Sequence, residues 1–293
     1  MKASETLFNT FLSQNKTQFV IPVYQRNYDW STPQCEQLLH DILEVGTKYG
    51  DTHFIGSIVY IHDGVFISSE VKPLVIIDGQ QRLTTLTLLY LALHKFASKA
   101  GNAEKADEIQ DTFLQNKYVK TESNKLKLKQ AASNYGAFKH LYDGQEPSTF
   151  REYSKVIDNY LYFYQQINEA NFTTLLEGLS RLLFVEVSLE RGKDDPQKIF
   201  ESLNSTGLEL SQSDLIRNYI LMGLEPEMQE RVFEQQWKHI EIEARYIDLQ
   251  ESRVSDFIRD YLTLKTKRIP NKGKVYEEFK KKYSIKLDDF YKT

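Results

Sequence analysis

Cysteine is almost absent from this 293-residue chain. Cys35 stands alone, so no internal disulfide can form and the fold rests on packing. No stretch of about 18 apolar residues occurs, which excludes an obvious membrane-spanning run. The start, Met1-Lys2-Ala3-Ser4-Glu5-Thr6, lacks the pattern of a secretory signal. A cytoplasmic location and no membrane partner are the default expectations. Histidine is scarce: His40, His53, His62, His94, His140 and His239 are the whole set, and no two have metal-nuclease spacing. A positive excess is missing too. The net charge of −4 argues against a protein that simply coats DNA with a basic surface. Walker loops, dinucleotide fingerprints, internal repeats and low-complexity segments are not present.

What remains is an ordinary globular composition, 41% hydrophobic and 27% charged, long enough for one large or two ordinary domains. Charge is unevenly spread. From Arg259 onward there are 11 Lys and Arg against 5 Asp and Glu, a net of +6, which leaves −10 for the residues before it. Lys265, Lys267, Arg268, Lys272, Lys274 and Lys280-Lys281-Lys282 can face a phosphate backbone, although a solvated helix face is the more common meaning of such a run. Lys117, Lys120, Lys125, Lys127 and Lys129, alternating with Leu126 and Leu128, read as a short strand with one charged face.

The most informative segment is Leu74-Val75-Ile76-Ile77-Asp78-Gly79-Gln80-Gln81-Arg82-Leu83-Thr84-Thr85-Leu86. An apolar run ends on Asp-Gly and opens into a helix. The first amides of a helix have no intrahelical partner and the macrodipole is positive there, so such a junction suits an anion. Gly79 permits a tight turn and close approach of a ligand. Arg82 offers a planar fork to phosphate oxygens. Asp78 can hold a metal or orient a water, Gln80 or Gln81 can position that water, and Thr84 and Thr85 can donate hydroxyl hydrogen bonds. The same residues also suit a plain turn with a solvated arginine.

Ile21-Pro22-Val23-Tyr24-Gln25-Arg26-Asn27-Tyr28-Asp29-Trp30 precedes a helix start at Ser31-Thr32-Pro33. If extended, it puts Tyr24, Arg26, Tyr28 and Trp30 on one face, suited to a base and a phosphate or to packing as a lid. Farther on, Phe200-Glu201-Ser202-Leu203-Asn204-Ser205-Thr206-Gly207 reads as a helix with a glycine stop, with Asn204 at the break and a new helix capped by Ser211 or Ser213. Asp214 and Arg217 have the spacing of an intrahelical ion pair.

Together these segments resemble the N-terminal domain of the GmrSD family of modification-dependent restriction endonucleases. The resemblance rests on Ile21–Trp30, on Asp78–Arg82, on Phe200-Glu201-x-Leu203-Asn204-x-x-Gly207 with Asp214, Leu215 and Asn218, and on His53-Phe54-Ile55-Gly56-Ser57-Ile58-Val59. It spans roughly residues 15–220. The Gly79–Arg82 turn is similar to the Gly-x-x-Arg turn that binds nucleotide phosphates in ParB and sulfiredoxin folds. What the resemblance implies is binding and hydrolysis of a nucleoside triphosphate with Mg2+, coupled to restriction of DNA, expected to be modified, in phage defence. Asp78, Gln80, Gln81 and Arg82 would be catalytic, with Asp78 also the metal ligand. Tyr24, Gln25, Arg26, Gly79, Thr84, Thr85 and Asn204 would bind the nucleotide. A His-Asn-His-type nuclease domain, C-terminal or separate, is the implied partner. The lack of paired histidines, and the helical character of the stretch after Lys282, lead to the expectation of a fragment or of a missing nuclease half. Two other readings stay open: a modified-DNA reader that stacks Tyr24, Tyr28 and Trp30 on a base, and a metal-dependent nuclease using Asp78 and Glu70.

The expected fold is α/β: a small mixed ParB-like sheet with an anion-binding strand-turn-helix, then a mainly helical region. Domains are expected at 1–100, at 101–225 with a returning strand that completes the site, and at 226–293 as a basic helical segment. Helices are expected at 5–15, 33–48, 80–99, 103–116, 131–142, 148–168, 172–181, 196–203, 211–222, 226–243 and 252–264. Strands are expected at 54–61, near 65–67, at 74–77 and at 182–189, the last pairing with the N-terminal sheet and bringing the Asn204 segment beside Asp78.

Overall fold

A computed structural model describes residues 1–62, 70–119, 121–204, 210–244 and 253–283. The chain forms two compact units. One comprises Met1–Pro22 with Asn27–Asp194, the other Val23–Arg26 with the chain from Asp195 onward.

The first unit is built on six strands: β1 (Lys2–Leu7), β2 (Thr17–Val20), β3 (His53–His62), β4 (Lys72–Asp78), β5 (Leu128–Lys129) and β6 (Leu182–Glu190). They lie in the order β1-β6-β3-β4-β2-β5. The sheet is mixed: β1/β6 and β3/β4 are antiparallel, while β3/β6, β2/β4 and β2/β5 are parallel. The late strand does return to the N-terminal sheet, where it separates β1 from β3. Its helices are α1 (Phe8–Leu12), α2 (Thr32–Thr47), α3 (Gln80–Lys99), α4 (Ala103–Ile109), α5 (Glu122–Lys125), α6 (Ala132–Tyr142), α7 (Lys155–Gln166) and α8 (Phe172–Ser180). Helix α1 places Phe11 among Phe19, Tyr60 and Phe184, with ring centroids 4.6, 5.8 and 5.1 Å apart. Helix α3 is buried along almost its whole length, because Leu83, Leu86, Leu88, Leu89, Leu91 and Leu93 cover more than one face.

The second unit is helical among the described residues: α9 (Pro196–Asn204), α10 (Gln212–Leu221), α11 (Pro226–Val232), α12 (Lys238–Glu243), α13 (Val254–Thr266) and α14 (Val275–Lys282). A π-helical turn at Phe233–Trp237 joins α11 to α12.

Several expectations need correction. The helix expected at 5–15 is strand β1 followed by the five residues of α1, since Lys2–Leu7 pair in register with β6. Pairing with a distant strand overrides local helical character. The helix expected at 148–168 begins only at Lys155, after a 3-10 turn at Pro147–Thr149. The stretch 103–116 closes with a π-helical turn at Gln110–Leu114. The charged strand face around Lys127 is not formed: Lys127 is 1% exposed, and its ammonium donates to the carbonyls of Leu12 (2.8 Å) and Gln14 (3.0 Å). It caps the C-terminal end of α1, where the helix dipole favours a cation. The strand expected near 65–67 lies outside the described residues. No helix among the described residues is long and apolar enough to cross a membrane.

Candidate functional site

The site is centred on the junction of β4 with α3. Asp78 ends β4 opposite Val59 and is half-buried. Gly79 precedes the helix in the left-handed region, at φ +89°. A Cβ there would sit 2.9 Å from the Ser57 carbonyl oxygen and 2.9 Å from Ile58 Cγ1. Both backbone conformation and space therefore require glycine. The Gly79 carbonyl accepts from the Leu83 amide at 3.0 Å and starts the helical ladder. The amides of the first helical turn are left without intrahelical partners.

Arg82 lies on the first turn of α3. Its half-buried guanidinium donates to the Ser57 carbonyl at 3.1 Å. Among the described residues, no carboxylate pairs with it. The guanidinium rests on Gly56, which has φ +93° and where a Cβ would meet Cζ at 3.0 Å. Gly56 is part of a bulge in β3, seen as a register shift against β6 between Phe54 and Ser57. The segment Gly56-Ser57-Ile58 thus seats both Gly79 and Arg82. Sequence reasoning gave Gly56 no role. The available signal was a glycine inside a strongly apolar strand, which marks a bulge or a close backbone approach.

The other residues expected near this turn are tied into the protein. Gln81 holds the segment before α2: its Oε1 accepts from the amides of Asp29 (2.8 Å) and Trp30 (3.3 Å), and its Nε2 donates to the Asn27 carbonyl (3.1 Å). Thr84 is 2% exposed and its hydroxyl accepts from Gln130 Nε2 at 2.8 Å. Thr85 is fully buried. Its hydroxyl donates back to the Gln81 carbonyl (2.8 Å) and shares a hydrogen bond with the Tyr28 hydroxyl (2.7 Å). Gln80 is buried at the start of the helix.

The segment Ile21–Trp30 is not an extended strand with one aromatic face. Beyond β2 it turns, and its residues divide between the units. Tyr28 is a core residue of the first unit, 5% exposed, and it receives a hydrogen bond from Asn159 Nδ2 at 2.9 Å. Burial drives its phenol pKa far above the ordinary value, so it stays neutral. A Tyr28 held this way offers no stacking surface for a base. Tyr24, Gln25 and Arg26 belong to the second unit. There the buried Arg217 donates from Nε to the Tyr24 carbonyl (3.0 Å) and pairs with Asp214 (2.7 Å) and Glu241 (2.5 Å). The expected Asp214–Arg217 ion pair is thus one arm of a clamp that fixes the Tyr24 backbone. Asn218, one turn along α10, has a buried Oδ1 with no hydrogen-bond partner among the described residues. Asn204 ends α9, and its side chain lies outside the described part of the structure, as do residues 205–209. No group of three metal-ligating side chains gathers around Asp78 among the described residues.

Over residues 8–221 the sequence matches the model of the family described as GmrSD restriction endonuclease, N-terminal domain. No curated protein matches the chain.

Proposed function

The chain belongs to the GmrSD restriction endonuclease family as its N-terminal domain, which gives it a role in a restriction system directed against phage, and we propose that it binds and hydrolyses a nucleoside triphosphate at the β4–Gly79–α3 junction. The observation that carries this reading is the Arg82 guanidinium. It is half-buried, seated on Gly56, and has only a carbonyl partner among the described residues. A cation removed from water in this way is stabilised by an anion. The first-turn amides of α3 supply further donors to the same anion.

In this reading the amides after Gly79 and the Arg82 fork bind phosphate oxygens and stabilise the charge that develops as the terminal phosphoryl group transfers. One half-buried carboxylate, Asp78, suits a magnesium ion, which takes one or two carboxylates and completes its shell with phosphates and water. Magnesium would neutralise phosphate charge there. Gln81 is committed to residues 27–30, and in this reading Gln80, buried at the start of α3, positions the attacking water. Thr84, Thr85 and Gln81 act through packing, by locking the first turns of α3. The DNA of the restriction system and a nuclease domain are the partners this family suggests, and hydrolysis would gate the cutting.

The test is phosphate release from nucleotide with magnesium by wild type and Asp78→Asn. The proposal expects turnover by the wild type and a loss of at least about 100-fold in the variant. Equal turnover in both would remove Asp78 from the chemistry.

A further inference from the structure

Away from the β4–α3 junction, α2 gathers three metal-ligating side chains, and a fourth, at the first residue of β3, stands beside one of them. His40, Asp41 and Glu44 stand on one side of α2, with 40/44 and 41/44 as helical neighbours. One ligand atom from each lies within 4.8 Å of the other two. His53 opens β3, and its Nε2 is 3.4 Å from Asp41 Oδ2. His40 Nδ1 is 3.8 Å from Asp41 Oδ1. We propose that His40, Asp41, Glu44 and His53 form a binding site for a divalent transition metal of the zinc class.

The three α2 groups already stand together, while His53 is near Asp41 alone and turns inward to complete the shell. Bonds of about 2.0–2.1 Å in a tetrahedron set neighbouring ligand atoms about 3.3 Å apart. The spacing from Asp41 Oδ2 to His53 is already near that value; His40 faces the other oxygen, Oδ1, at a spacing about 0.5 Å greater than the ideal. Exposed side chains close such gaps by small rotations. Two imidazoles with two carboxylates favour zinc, cobalt or nickel over magnesium and calcium, which prefer oxygen alone.

The surroundings hold these groups in place. Gln37, one turn earlier on α2, donates to Asp41 Oδ1 at 2.8 Å and leaves Oδ2 directed at His53. Arg181 links the two elements. Its guanidinium donates to the Val45 carbonyl (2.8 Å) and to that of Lys48 at the end of α2, while its own carbonyl accepts from the His53 amide (3.0 Å). Lys48 is the competing occupant, through its ion pair with Glu44. That pair is exposed at both ends, so a metal displaces it at little cost. Lys48 contributes most to holding the Glu44 carboxyl below the usual range, and the imidazoles of His40 and His53 are the other titratable groups facing it. A bound ion would fasten α2 to β3, the strand that also carries Gly56.

The probe is cobalt, added to the metal-stripped full chain and followed by its visible absorption, with zinc added afterwards as competitor. The expected result is one cobalt per chain with the intense bands of four-coordination, bleached by one equivalent of zinc. The His40→Ala/His53→Ala variant should bind at least about tenfold more weakly with an unchanged melting temperature in the absence of metal. Glu44→Gln should weaken binding while keeping both imidazoles. Absent bands, or equal affinity in the double variant, would overturn the proposal, the latter by placing the ion on His62, His94, His140 or His239. None of these readouts depends on nucleotide turnover.

Discussion

Replacing Gly79 by alanine separates the two reasons for glycine at the β4–α3 turn. The first is conformational: φ of +89° costs an L-residue about 1–2 kcal/mol. The second is steric: the new Cβ would lie 2.9 Å from Ser57 O and Ile58 Cγ1, and overpacking of a core costs about 1–3 kcal/mol. Together they amount to about 2–5 kcal/mol of lost stability. Gly50 provides the control. It has φ of +86° with nothing within 4 Å of its added Cβ, so Gly50→Ala should show only the conformational cost. Urea unfolding measures both. With a slope of about 1–3 kcal/mol per molar, an excess of about 2 kcal/mol in Gly79→Ala lowers its midpoint by about 1 M relative to Gly50→Ala. Equal midpoints for the two variants would refute the packing of Gly79 against Ser57 and Ile58.

Three further outcomes follow from the same contacts. Gly56→Ala should displace the flexible Arg82 guanidinium, weakening triphosphate binding by about tenfold, and at φ of +93° should show the same conformational cost of about 1–2 kcal/mol as Gly50→Ala; calorimetry and urea unfolding check the two halves. Tyr28→Phe should lower stability by about 1–3 kcal/mol, because Thr85 and Asn159 lose their buried partner; an unchanged melting curve would contradict this. Burial pushes the Lys127 ammonium down from 10.5 to about 8. The unfolded chain then binds more protons between those values, so this residue's contribution improves as pH rises from about 8 towards 10.5 and is lost as pH falls back. Lys127→Met should lack that rise, and the stability difference between wild type and variant should move in favour of wild type across this window.

The parts of the fold that could be read from the chain are those with local causes. The apolar run to Ile77, the Asp78-Gly79 stop and the leucine pattern after it make β4, the turn and α3 visible without any knowledge of their neighbours. Pro33 behind Ser31 marks the start of α2, and there the Ser31 amide donates to Gln34 Oε1 at 2.9 Å. Lys2–Leu7 carries no such signal. It is a strand because β6, some 180 residues later, offers it a partner. Lys127 shows the same limit on the scale of one side chain: alternation with leucines suggested solvent, but the carbonyl ends of α1 lie within its reach. Within the site, the roles open to Gly79 and Arg82 follow from their chemistry alone. The support from Gly56, and the fixing of Thr84, Thr85 and Gln81 into the core, depend on contacts between segments far apart in sequence.

Calorimetric titration of ATP, GTP, CTP and UTP with magnesium, into wild type and Arg82→Ala, tests the central claim most directly. The account predicts that at least one of the four binds the wild type and that its affinity falls by about 10- to 100-fold in Arg82→Ala, the equivalent of one charge-assisted hydrogen-bonded contact of about 1.5–3 kcal/mol. Binding of equal strength by the two proteins, or no binding of any nucleotide by the folded wild type, would contradict it.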